Sequence, residues 1–256
     1  PNPDLQPETS ANTELGIKQG YKIGDDLIYG YFDLAGFVQN YENTIEYLFG
    51  IWDQTVAPYG FKFLNTGSTR VRGVDISWVA STNPKASWQL TLLAGYTYVV
   101  PVSLQPDYVY GFDNAPAGPN ALSYNSTSID TTDYLLKYRY KHSGKIDVQL
   151  SHKGFSVGYS MRFFSKMQNI DSAFVLLEDL TAAVPIFPNF YGVDYWQNSQ
   201  SGIFIHDFRA SYTFNLKERE LRVAVVIDNL LNKEYALRPS KIEAPRKSAI
   251  QIVYKF

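Results

Sequence analysis

Cysteine is absent from the 256 residues, so neither disulfides nor thiolate chemistry can operate within this stretch. That absence suits passage through an oxidising compartment, although many cytosolic proteins lack cysteine too. No window approaches 18 uninterrupted apolar residues, and none reads as a transmembrane helix. Charge of one sign is also lacking. Lys and Arg total 23 against 25 Asp and Glu, net −2, and the basic residues do not cluster, so no nucleic-acid partner is expected. The start shows no basic segment ahead of an apolar run. Pro1-Asn2-Pro3-Asp4 reads instead like the middle of a loop, and the expectation is that the chain continues upstream. Aromatics, by contrast, make up 16% of the residues, with twenty Tyr and sixteen Phe, too many for a disordered chain.

Where helical periodicity is missing, period two takes its place, and no convincing helix is found. In the terminal stretch RKSAIQIVYKF, Ser248, Ile250, Ile252, Tyr254 and Phe256 alternate with Ala249, Gln251, Val253 and Lys255. A strand sends successive side chains to opposite faces, which gives one apolar face and one mostly polar face. Phe204, His206, Phe208, Ala210, Tyr212 and Phe214 repeat the pattern, as do Leu221, Val223, Val225 and Ile227. So do Phe155 to Phe163, Trp88 to Tyr98, Ile146 to Leu150 and Val74 to Trp78, taken at every second residue. The alternation predicts nine strands, over 11–20, 31–44, 61–81, 87–100, 133–152, 155–167, 203–215, 221–236 and 246–256. Short links at 82–86, 153–154 and 216–220 alternate with long ones at 45–60, 101–132 and 168–202.

Two all-β architectures are open to such a pattern. A soluble sandwich hides its apolar faces against each other and seldom carries three loops of that size. An outer-membrane barrel has short periplasmic turns, long extracellular loops and aromatic girdles at the interfaces. Tyr96 and Tyr98, Tyr212 and Phe214, and Tyr254 and Phe256 all fall near strand ends, as girdles require. About ten strand residues at ~3.3 Å, tilted ~45°, cross a ~25 Å apolar band. A mean hydropathy of −0.22 does not count against this, because alternating residues cancel. The barrel is favoured. Nine strands do not close one of the usual even-numbered kind, and an open sheet leaves two edges unpaired in lipid. Further strands before Pro1, or on another chain, are therefore expected.

Four stretches together resemble TonB-dependent outer-membrane receptors. The end of the chain, VVIDNLLNKEYALRPSKIEAPRKSAIQIVYKF, is similar to that family's last hairpin. Asn229, Leu230, Asn232, Lys233, Tyr235, Pro245, Arg246 and Phe256 stand at its Asn-Leu-x-Asn-Lys-x-Tyr, Pro/Gly-Arg and terminal-aromatic positions. NPDLQPETSANTELGIK resembles its Asn-Pro-x-Leu-x-Pro-Glu segment, and NTGSTRVRGVDISW its Asn-x-Gly…Gly-Val-Glu strand, with Asp75 in place of Glu. YRYKHSGKIDVQL resembles its Pro-Lys-His strand start, with Tyr140 in place of Pro. The resemblance implies that residues 1–256 are the last nine or so strands of a barrel of about twenty-two, the size class with a plugged lumen. It implies an outer-membrane receptor importing a scarce nutrient, such as an oligosaccharide, peptide or siderophore, into the periplasm. Partners would be outer-membrane lipid, the TonB complex through a plug not present in this chain, and a surface lipoprotein lid. The alternative is a barrel that transports nothing and anchors a surface complex. In this family the terminal Tyr254 and Phe256 resemble a barrel-assembly signal; a plain girdle role is the other reading.

Candidate sites are few. His142, His152 and His206 lack zinc-like spacing, and neither a phosphate loop nor a nucleophile elbow is present. No metal site, cofactor or catalytic residue is expected. The long loops carry no Lys or Arg between Lys85 and Lys137 or between Lys166 and Arg209. Substrate-binding candidates there are Tyr108, Tyr110, Phe112, Asp113, Phe190, Tyr191, Asp194, Tyr195 and Trp196. They form either a plain acidic outer surface or an aromatic, carboxylate-bearing mouth suited to neutral or cationic ligands. Inward-facing Arg162, Arg209, Arg222, Asp147, Asp207 and Asp228 are expected to line a lumen in ion pairs.

Overall fold

The structure, a computed structural model, describes all residues except 1, 25–26, 54–58, 116, 183–190, 199–200 and 218, and the side chains of Ala182 and Tyr195. Among the described residues nine strands pair into one antiparallel sheet in chain order. They are β1 (Thr9–Ile23), β2 (Ile28–Glu42), β3 (Thr69–Thr82), β4 (Trp88–Ser103) and β5 (His142–His152). Next come β6 (Phe155–Phe164), β7 (Ile203–Leu216), β8 (Arg219–Asp228) and β9 (Lys247–Lys255). The sheet is not closed, since β1 and β9 each pair on one side only.

Register turns the alternation of single strands into continuous faces. One row runs Trp88, His152, Phe155, Tyr212, Val223, Ile252 across six strands. Each strand's apolar set therefore lands on the same side, and the polar sets on the other. Rings gather toward the strand ends of the apolar face. At the short-turn end Trp88 stacks on His152 at 4.2 Å, and Tyr212–Phe214 and Tyr254–Phe256 meet edge to face at 4.7 and 5.0 Å. At the other end the Tyr96 hydroxyl lies 2.7 Å from His142 Nδ1.

On the polar face two of the expected ion pairs form, whereas Arg222 donates to Ser211 Oγ at 3.2 Å and not to a carboxylate. Arg209 on β7 crosses β6 to reach Asp147 on β5, with contacts of 2.7 and 2.8 Å. The crossing depends on Gly158, where a Cβ would lie 2.4 Å from Arg209 Nε. Arg162 pairs with Asp207 at 3.2 Å, and Asp207 also accepts from the Asn229 backbone N–H at 2.9 Å. On the apolar face Gly30 plays the same part for Tyr21, whose hydroxyl passes over it to accept from Trp78 Nε1 at 2.7 Å.

Several predicted boundaries are corrected. The span 61–81 is not one strand: Tyr59–Asn65 pairs with Ile45–Ile51 in an outer hairpin, and β3 begins only at Thr69, after a turn at Gly67 with φ +85°. The strand placed at 133–152 starts at His142, because Asp133, Tyr134 and Tyr138 take positive φ. The strand placed at 221–236 stops at Asp228, where Asn229 and Asn232 turn left-handed. Helices also occur against expectation: α1 (Tyr124–Thr127), α2 (Ser172–Ala182) and α3 (Val193–Asn198), all within long connections. Those connections number four, not three: 43–68, 104–141, 165–202 and 229–246 leave one end of the sheet, and short turns close the other.

Candidate functional site

The four long connections pack into one cap, and its centre is a carboxylate. Asp171, 1% exposed, accepts from the Phe49 backbone N–H at 2.7 Å, from Lys137 Nζ and from the Tyr138 hydroxyl. Those donors come from 43–68 and 104–141, whereas Asp171 belongs to 165–202, so three connections meet on one group. Lys137 also donates to Thr127 Oγ1 at 2.5 Å. Burial pushes the Lys137 ammonium down from the usual lysine range, against the pull of Asp171. Burial likewise raises the Tyr138 hydroxyl, with the Asp171 charge adding to the rise, so it stays a donor. Asn169 Nδ2 donates to the Leu135 carbonyl at 2.9 Å, a further tie between two connections.

Around this polar centre lies an apolar core of Phe49, Met167, Ile170, Phe174, Leu177, Tyr191 and Val193. The Phe49 and Phe174 rings stack at 4.0 Å, which docks α2 against the outer hairpin. The fourth connection joins through the Ser240 N–H donating to the Tyr191 carbonyl at 2.6 Å. Tyr140 donates its hydroxyl to the Leu237 carbonyl. Tyr235 and Leu237 pack on Ile203 and Ile205, two members of the polar-face set of β7, which seats 229–246 over that face.

Concavities open in the cap among the described residues. One, of about 350 Å³, is lined by Phe49, Trp52, Tyr110, Asp113, Thr127 and Ser172 with apolar neighbours, and no cation among the described residues borders it. Another, of about 400 Å³, is lined by Glu46, Tyr47, Phe63, Arg139, Arg238 and Lys241 among others. Arg139 bonds both oxygens of Glu46, at 2.8 and 3.1 Å. Burial pushes the Glu46 carboxyl above the usual range, and the Arg139 charge opposes that.

The candidates named from sequence fall into different environments. Phe112, 61% exposed, and Tyr108 and Asp194 face solvent. Tyr110 is half-buried with its hydroxyl 2.5 Å from Thr127 Oγ1, and half-buried Trp196 donates to the Met167 carbonyl at 2.5 Å. Asp113 and Tyr191 are buried, Asp113 accepting from the Asn120 N–H at 2.9 Å and Tyr191 lying in the cap core. Phe190 and the Tyr195 side chain lie outside the described residues. Sequence reasoning missed Glu46, Arg139, Arg238 and Lys241. Reading 221–236 as strand hid the fourth connection, whose cations could otherwise have been counted at the mouth. Among the described residues no three His, Asp or Glu side chains group as a metal would require.

The family model described as TonB dependent receptor-like, beta-barrel matches residues 1–230. Among solved structures, the chain is similar to BauA, the ferric preacinetobactin receptor of Acinetobacter baumannii, at 16% identity and TM-score 0.51, covering 96% of this chain and 29% of that one. The outer-membrane transporter YddB from Escherichia coli matches at 13% and 0.51, covering 97% and 33%. The copper transporter OprC matches at 13% and 0.51, covering 98% and 30%. The chain thus spans a third or less of each of these structures. No curated protein matches it. With the model covering most of its length and the same barrel strands in space, the chain belongs to the TonB-dependent receptor β-barrel family, a family of outer-membrane proteins.

Proposed function

We propose that these residues form wall and outer mouth of a receptor that imports a scarce nutrient across the outer membrane. The long-connection end faces outward and the short-turn end faces the periplasm. Energy comes from TonB acting on a plug that lies outside this chain, and the nine strands are the C-terminal part of a barrel near twenty-two. One observation carries this reading. Four connections leaving one end of an apolar-girdled sheet build a single cross-tied cap with concavities, over a face lined by ion pairs.

The relatives favour a metal or a metal complex as cargo: BauA is a ferric preacinetobactin receptor and OprC a copper transporter. An oligosaccharide or peptide fits the exposed Tyr108, Phe112 and Asp194 equally well, through stacking and hydrogen bonds. Tyr254 and Phe256 serve barrel assembly, and a surface lipoprotein is a fitting lid for the cap. The test is accumulation of labelled nutrient in strains with and without the intact gene, each with and without TonB. Uptake that needs both is the expected result. Uptake indifferent to the gene, with a surface complex lost when the gene is removed, would replace this reading with that of an anchor.

A further inference from the structure

We infer that the cavity at the base of the outer hairpin is an oxyanion subsite, in which Arg238 takes the carboxylate of an organic ligand. The inference rests on the uptake reading and names a chemical class for its cargo. Three cations, Arg139, Arg238 and Lys241, border this cavity against one carboxylate, Glu46. Glu46 is occupied by Arg139, and Lys241 pairs with Glu243 at 2.8 Å. Arg238 has neither a carboxylate partner nor a hydrogen-bond acceptor among the described residues. Its guanidinium carbon lies 4.9 Å from the Phe61 ring centre and 5.9 Å from that of Tyr47. Aromatic faces hold the cation in place without accepting from its planar N–H edges. Five donors in a fixed fork then remain for a bidentate oxyanion.

The same rings determine what accompanies the charge. Tyr47 stacks on Phe61 and lies 4.5 Å from Phe63, so an apolar wall adjoins the guanidinium. A carboxylate attached to a flat or apolar body fits that wall, whereas a bare inorganic anion leaves it uncovered. The cavity also sits where cargo would pass, because Leu237, beside Arg238, packs over the polar face of the sheet. The 350 Å³ concavity is bordered by no cation among the described residues and so offers an anion less.

The whole receptor, extracted from outer membrane in detergent, would be titrated calorimetrically with hippurate and with its neutral amide. Hippurate is expected to bind about ten- to a hundred-fold more tightly, the range of a charge-assisted contact, and to weaken as salt is raised. Arg238→Gln should abolish the preference. Arg238→Lys, which keeps charge and ring contact but loses the fork, should keep part of it. Heat-modifiable migration in gels verifies that each variant still folds as a barrel. Equal affinity for acid and amide in the wild type, or a preference untouched by Arg238→Gln, overturns the subsite. TonB-dependent uptake measured alongside separates the two readings. Uptake retained without any anion preference sinks the subsite alone, and preference retained without TonB-dependent uptake sinks the uptake reading alone.

Discussion

At the residue scale, one carboxylate accepts from three donors carried by two other segments of the cap, and its removal cannot be neutral. Deleting one partner of a buried pair leaves the other charge uncompensated, at about 3–5 kcal/mol. Lys137→Met is therefore expected to loosen the cap by that amount, read as faster hydrogen exchange in 43–68 and around Asp171. Unchanged exchange would mean that the Phe49 and Tyr138 donors alone satisfy Asp171. Glu46 gives a pH dependence with a definite sign. Because burial raises its pKa, its contribution to stability is present below the ordinary carboxylate range and is lost as pH rises through the raised value. Acidification from neutral pH should thus slow exchange of the outer-hairpin amides, after correction for intrinsic rates. Glu46→Gln, neutral throughout, should remove that trend, and a trend surviving the substitution would assign it to another group.

At the scale of elements, α2 holds through its apolar side and not through a strong intrinsic helix signal. Phe174 is 0% exposed and stacks on Phe49, so Phe174→Ala opens a cavity at the joint with the hairpin. Truncations of this kind cost about 3–5 kcal/mol. The expected readout is protease sensitivity in 165–182 with barrel migration in gels unchanged. If the barrel band is lost as well, cap and sheet fold as one unit. The strands obey a different rule. Gly158→Val would push Arg209 off its path to Asp147, since even a Cβ lies 2.4 Å from Arg209 Nε. The ion pair across three strands should break while the apolar face stays intact, giving a lower melting temperature with the same detergent-soluble barrel.

For the whole molecule, the terminal ring is the test of assembly. Phe256 is 96% exposed and touches Tyr254 edge to face at 5.0 Å. The barrel-assembly reading predicts that deleting it lowers the amount of receptor reaching the outer membrane. The melting temperature of the fraction that does assemble should not change. A lowered melting temperature at normal abundance would assign Phe256 to girdle packing instead.

Period two settled much of this molecule from sequence alone. Alternation is a local property: strand geometry fixes which side each residue takes, and neighbours one residue apart suffice to reveal it. The apolar and polar faces, the ring pairs at strand ends and four of the six charged residues expected to pair on the polar face were legible for that reason. The family resemblance was legible too, in short motifs kept in order along the chain. The cap was not. Phe49 and Asp171 are separated by 122 positions, and Tyr140 and Leu237 by 97, and no local pattern links such partners. Left-handed turns at Asn229 and Asn232 ended a strand that alternation alone would have continued, and so hid the connection that carries Arg238. Tyr191 and Asp113 read as exposed loop residues, yet both are buried in the cap, Asp113 at the edge of the 350 Å³ concavity. The faces followed from the backbone's own geometry. The mouth was decided by packing between segments that meet only in the folded chain.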